Sequence, residues 1–298
     1  MSEMEIEENC LETFFHQSAL QKQVLSSGAK SVIRAVFVPY LLALESLEFT
    51  DQDDPNTGLL YQMMDRAFST AVGVLTLTIQ KQYCEAEALS RTLYESSVQT
   101  HYILNKNTSE RLLRYFLKYV EDEKRQNSRW RSEVEKSSDE TLKFHLGLID
   151  HKDTVLENYS SFIDEFSDHK NIQSAQIKKL PDTLDQLAEL GRKVSYRTAY
   201  MAMCSQTHHD AEDILNYFVG LSVGGTVERI NNEKNIFAIH SVLLAMLELI
   251  ECFIAFGKYF KFEPIILESE ISRELLFKQA KTVGLHIQEA KFPENWIV

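Results

Sequence analysis

Apolar residues recur along most of the chain at intervals of three and four, the period of an amphipathic helix, with no sustained alternation of the kind a half-buried strand would show. Read this way, the pattern predicts helices over Glu5–Leu25, Ala29–Phe49, Leu59–Gln82, Cys84–Leu104, Glu110–Lys136, Ser138–His169, Pro181–Leu190, Lys193–His209, Asp210–Gly220, Asn231–Phe260 and Ile266–Thr282. Pro39 lies inside the second of these and is expected to kink or divide it, because proline removes a backbone donor and its ring crowds the preceding turn. The clearest loop is Thr50–Gly58, TDQDDPNTG, while GLSVGG marks a turn before the penultimate helix.

The fold class that follows is all-α: a single large helical bundle over residues 1–298, with a charged middle region, 121–180, expected to project as a helical hairpin. The segment beginning at Leu59 is apolar almost all round, so it should be central, and Leu75, Leu93, Phe116, Tyr200, Leu243 and Phe253 are expected in one core. Ten glycines and five prolines supply too few turns for a many-stranded β architecture. No phosphate-binding glycine loop of the GxGxxG or GxxxxGK[ST] kind follows a strand-like segment, which sets parallel-sheet nucleotide enzymes aside.

Charge narrows the partners. A formal net charge of −13 opposes wholesale attraction to nucleic acid or anionic lipid, so a polyanion would need a local basic surface. The most apolar stretch, Ile236–Phe256, carries His240, Glu248 and Glu251, which fits a buried core helix better than a membrane span. Cys10, Cys84, Cys204 and Cys252 form no CxxC pair and read as reduced core thiols. With an acidic N-terminal segment that lacks the order of a secretory signal, the expectation is a cytoplasmic protein without membrane insertion.

Two sets of residues could carry chemistry. Arg91 and Glu95 stand one helical turn apart, and in YRTAYMAMCSQTHHDAED the residues Tyr200, Cys204 and His208 recur every four positions, with Ser205 beside them. A neutral-range histidine and an arginine can together move a ribose hydroxyl proton and stabilise a crowded phosphate, so Arg91, Glu95, Ser205 and His208 are the candidate catalytic centre. The structural alternative is that they fasten two helices by hydrogen bonds. The second set is a basic ladder, Arg111, Arg114, Lys118, Arg125 and Arg129, mostly on one helix face next to Trp130; it is a candidate phosphate-binding surface or an ordinary solvated face, interrupted by Glu121, Asp122 and Glu123. His208 and Glu212 are also one turn apart, but paired ExxH motifs are absent, so no metal ligand and no cofactor is assigned.

The run of Tyr200, Cys204, Ser205 and His208, with Arg91 and Glu95 in the upstream RTLYE, resembles all-helical bacterial proteins catalogued only as a domain of unknown function. The likeness covers about half the chain, mainly Leu75–Tyr119 and Lys193–Asn216, and implies a helical core with an Arg, Glu, Ser and His polar centre but no established activity. A more distant resemblance is to the helical HEPN superfamily, whose ribonuclease members place an arginine and a histidine close together on one helix. Here Arg197 stands ten intervening residues before His208, so a ribonuclease would need Arg91 to serve from another helix. The expected function is a helical binding protein or effector of a stress or phage-defence system, with RNA, a nucleotide, a protein or a second copy as partner. The alternatives are a metal-independent ribonuclease using Arg91 and His208, and a scaffold subunit without a catalytic centre.

Overall fold

The computed structural model describes residues 3–50, 53–172, 179–206 and 211–289, and among them there is no strand. The helices are α1 (Glu3–Ser18), α2 (Ser27–Glu45), α3 (Pro55–Ile79), α4 (Tyr83–Asn105), α5 (Thr108–Lys136), α6 (His145–His169), α7 (Thr183–Glu189), α8 (Lys193–Ser195), α9 (Met201–Gln206), α10 (Ala211–Ser222), α11 (Val227–Phe260) and α12 (Glu263–Glu289). A π-turn, Tyr196–Tyr200, joins α8 to α9.

Local chemistry explains where these begin and end. Ser26, Asp54 and Thr226 cap α2, α3 and α11, their side chains accepting from the backbone N–H of Ala29, Asn56 and Arg229. Pro55 opens α3, where its missing donor is harmless. α7 closes on Gly191 at φ +74°, with Arg192 N–H donating to the Leu187 carbonyl and Gly191 N–H to that of Ala188. That paired closure needs a left-handed residue, and it sets the direction in which Arg192 leaves the helix.

Contacts divide the chain into two compact units, one of residues 1–105 and 183–298, the other of 106–182. In the first, α11 packs along α4 and α12, α3 lies against α4, and α2 is held between α1 and α12. α11 is long and apolar enough to cross a membrane, and most of its apolar window is buried within this unit. Leu75, Leu93, Leu243 and Phe253 are buried here as expected, whereas Tyr200 is only half-buried. In the second unit α5 pairs with α6, burying Val120, Ile149, Leu156, Ile163 and Phe166. Phe116 belongs to this second unit and is half-buried, edge-on to Phe162 and Phe166. The predicted 121–180 hairpin falls within it.

Several boundaries differ from the sequence expectation. α1 stops at Ser18, not Leu25, because Ala19 turns into the left-handed region at φ 54°. Pro39 does not divide α2: Ile33, Val36, Phe37 and Tyr40 continue its buried face past the proline, and that burial outweighs one missing hydrogen bond. The segment before α6 forms a 3₁₀ turn, Glu140–Phe144, started by the Asp139 carboxylate accepting from Thr141 N–H. Of the four cysteines, Cys10 and Cys252 are core thiols, while Cys84 is exposed and Cys204 half-buried.

One pH effect follows from the packing of α11 and α12. Burial holds the His240 imidazole below its ordinary value of 6.5. A proton therefore binds the unfolded chain more readily, and His240 withdraws stability as pH falls from about 6.5 toward its lowered folded value. His240→Leu should gain stability relative to the parent as pH drops through this window, measured by urea unfolding at pH 5 and pH 7.5. An equal difference at the two pH values would count against the assignment.

Candidate functional site

α4 presents Arg91 and Glu95 on one face, and the π-turn brings Tyr200 onto them from more than a hundred residues away. The three side chains close a ring of hydrogen bonds. Arg91 Nε donates to Glu95 Oε1 at 3.1 Å, the Tyr200 hydroxyl donates to the same oxygen at 2.7 Å, and Arg91 Nη2 donates to the Tyr200 hydroxyl at 3.5 Å. The extra residue of a π-turn shifts the side chains after it relative to a regular helix, and such turns recur at functional sites.

Stacking extends the ring outward. The Arg91 guanidinium lies 5.6 Å from the Tyr200 ring centroid, Tyr200 is 5.1 Å from Tyr196, and the exposed Arg197 guanidinium is 5.6 Å from Tyr196. Two cations thus flank two aromatic rings, an arrangement held by cation–π attraction. Burial raises the Tyr200 hydroxyl above its ordinary range, and its bond to the Glu95 carboxylate adds to this, so the phenol keeps its proton. For Arg91 burial acts downward, but the bonds to Glu95 and Tyr200 prevail and hold the guanidinium above its ordinary value.

Behind this ring lies a second polar cluster that periodicity did not single out. Glu248 of α11 is fully buried, and Arg192 grips it with Nη1 to Oε1 at 2.8 Å and Nη2 to Oε2 at 2.6 Å. His101 Nδ1 lies 3.7 Å from Glu248 Oε1. Burial, followed by the Glu248 charge, raises the hydroxyl of Tyr94, whose ring is 6.2 Å from Tyr200. The clue in the sequence was a carboxylate inside the apolar run of α11, which had to find a cation. The sequence contained no indication that Arg192, just after a glycine turn, would be that cation.

Of the four candidate catalytic residues, the structure brings Arg91 and Glu95 together. Ser205 is on α9, but its side chain, like the whole of His208, lies outside the described residues. The Glu212 side chain likewise lies outside them, and among the described residues no group of three or more His, Cys, Asp or Glu is placed to hold a metal ion. Along the ladder on α5, Arg111 is buried, Arg114 is paired with Glu110, and Arg125 is paired with Asp122 at 2.7 Å. Lys118 and Arg129 are exposed. Trp130 packs edge-on to His145, at 5.3 Å.

Fold and site together define an all-helical protein with an arginine–tyrosine centre formed between α4 and the π-turn. Residues 58–225, which carry that whole centre, match the family of unknown function DUF5677, and the chain belongs to this family. No curated protein and no solved structure matches it, and the likeness to the HEPN superfamily gains no support.

Proposed function

We propose that the chain is an intracellular helical effector that works by binding single-stranded RNA or a nucleotide at the Arg91–Tyr200–Tyr196–Arg197 row. The observation that carries this reading is the pair of neighbouring tyrosine rings with an arginine at each end of the row. Aromatic faces stack bases without regard to sequence, while a guanidinium fork offers phosphate two parallel donors. Glu95 and Tyr200 orient Arg91 in advance, so less side-chain entropy is lost on binding. In an acidic chain this row is a compact basic and aromatic surface on which a polyanion can settle. The ladder on α5 stays outside the reading, because Arg111 is buried and Trp130, the ring beside the ladder, packs edge-on against His145.

Fluorescence anisotropy with a labelled single-stranded RNA, and competition by ATP, tests the assignment. Tyr196→Ala should weaken binding about tenfold, in line with ~1–3 kcal/mol per stacked base. Arg197→Glu should weaken it further and flatten its salt dependence. Arg273→Glu, on α12 and ion-paired to Glu251, should leave it unchanged. Equal affinity of parent, Tyr196→Ala and Arg197→Glu for both probes would overturn the reading. RNA shortened during incubation by the parent but not by His208→Ala would replace binding with ribonuclease chemistry.

A further inference from the structure

Among the described residues, nothing covers the apolar side of α10. Gly220 sets this helix against α11: a Cβ there would lie 2.9 Å from Ile230 Cδ1, so glycine permits the close approach. The hairpin is closed by Gly225 N–H donating to the Gly220 carbonyl and Gly224, at φ +86°, donating to that of Leu221. With α10 seated on that edge, the side away from α11 presents Ile214, Leu215, Phe218 and Val219, and the turn that follows adds Val223, each between 56% and 80% exposed.

Five large apolar side chains at that exposure offer on the order of 600 Å², the upper end of what a soluble monomer shows as one patch. Val227, also exposed, enlarges it toward the ~800 Å² that each partner contributes to a standard stable interface. From Ile214 to Val227 the sequence has no Asp, Glu, Lys, Arg or His. Two molecules of net charge −13 repel, and an uncharged face is where they can meet with least Coulomb opposition. The same face has no cation to attract an anionic membrane and no charge pattern to select a charged protein partner.

We infer that α10 is a homodimer interface, packing against its own copy about a two-fold axis. The apolar run is centred on Phe218 and Val219, so these residues meet their counterparts near the axis and the helices run antiparallel. Such a contact is self-complementary and closes at two copies.

Sedimentation velocity and light scattering on the full chain, at concentrations from about 1 to 100 μM, where a dimer of micromolar or tighter affinity is populated, test this. The parent should show twice the 34.4 kDa chain mass. Phe218→Glu and, separately, Val219→Glu should weaken dimerisation at least a hundredfold and give monomer across the range. Both side chains are more than half exposed, so far-ultraviolet dichroism and melting should match the parent at low concentration. A parent monomeric at every concentration, or a glutamate variant that remains dimeric, would overturn the inference. So would a parent that floats with phosphatidylcholine vesicles through Phe218 while staying monomeric in solution, which would make the face a membrane contact.

Discussion

Arg192→Ala is expected to destabilise the protein by about 3–5 kcal/mol, the loss that follows when one member of a buried ion pair is removed and the other is left without its counter-charge. Glu248 is fully buried in α11, and Arg192 meets both of its oxygens, at 2.8 and 2.6 Å. The remaining polar neighbours are too few to take over: His101 Nδ1 is 3.7 Å away, and Tyr94 is a phenol whose hydroxyl burial and Glu248 already hold in its neutral form. Glu248→Ala, which leaves the partly exposed Arg192 able to turn toward water, should be milder. The double replacement Arg192→Met with Glu248→Leu should recover most of the loss, because neither charge remains to be desolvated. Urea unfolding of the four proteins gives the comparison. A loss below about 1 kcal/mol for Arg192→Ala, the range of an exposed pair, would show that water reaches Glu248.

That pair also shows which parts of the molecule could be read from residue order and which could not. Helices were legible because periodicity is a local property: α3, α4, α5 and α11 begin and end within a few residues of the pattern, and Gly191 stops α7, although Asp54 and Pro55, inside the expected Thr50–Gly58 loop, cap and open α3. The buried positions Leu75, Leu93, Leu243 and Phe253 followed from the same periodicity. Phe116 and Tyr200 did not. A helical face can be drawn for either of them, but which unit receives it depends on how the chain folds back, and that is set by contacts far apart in sequence.

The site divides along the same line. Arg91 and Glu95 were visible because they lie one turn apart on one helix. Tyr200 stood out for its regular spacing with Cys204, yet the π-turn that carries its hydroxyl to Glu95 breaks that regularity, and no local pattern announces such a turn. Tyr196 and Arg197 were present in the same run, but their stacking with Tyr200 and Arg91 exists only once two segments more than a hundred residues apart are joined. The ladder on α5 illustrates the reverse: a one-sided row of cations in sequence says nothing of the carboxylates that pair with its members, Glu110 and Asp122 among them.

Phe253→Ala should cost about 3–5 kcal/mol, the usual range for truncating a buried aromatic residue. Phe253 is fully buried on α11, the helix against which both α4 and α12 pack, and its neighbours in sequence, Cys252 and Ile254, are buried as well. Removing the ring deletes its transfer free energy and leaves a cavity that these long helices cannot collapse without shifting along their whole contact. The comparison that isolates burial from aromatic character is Phe277→Ala on α12, where the ring is 60% exposed and the change should stay within about 0.5 kcal/mol. Alanine favours helix at both positions, so propensity pushes the two variants the same way and cannot produce the difference between them. Denaturant midpoints measured side by side would show the contrast directly. Similar losses for the two phenylalanines would mean that the α4–α11–α12 packing is not the main core of its unit, and with it the placement of Glu248 and Arg192 behind the arginine–tyrosine ring would fall.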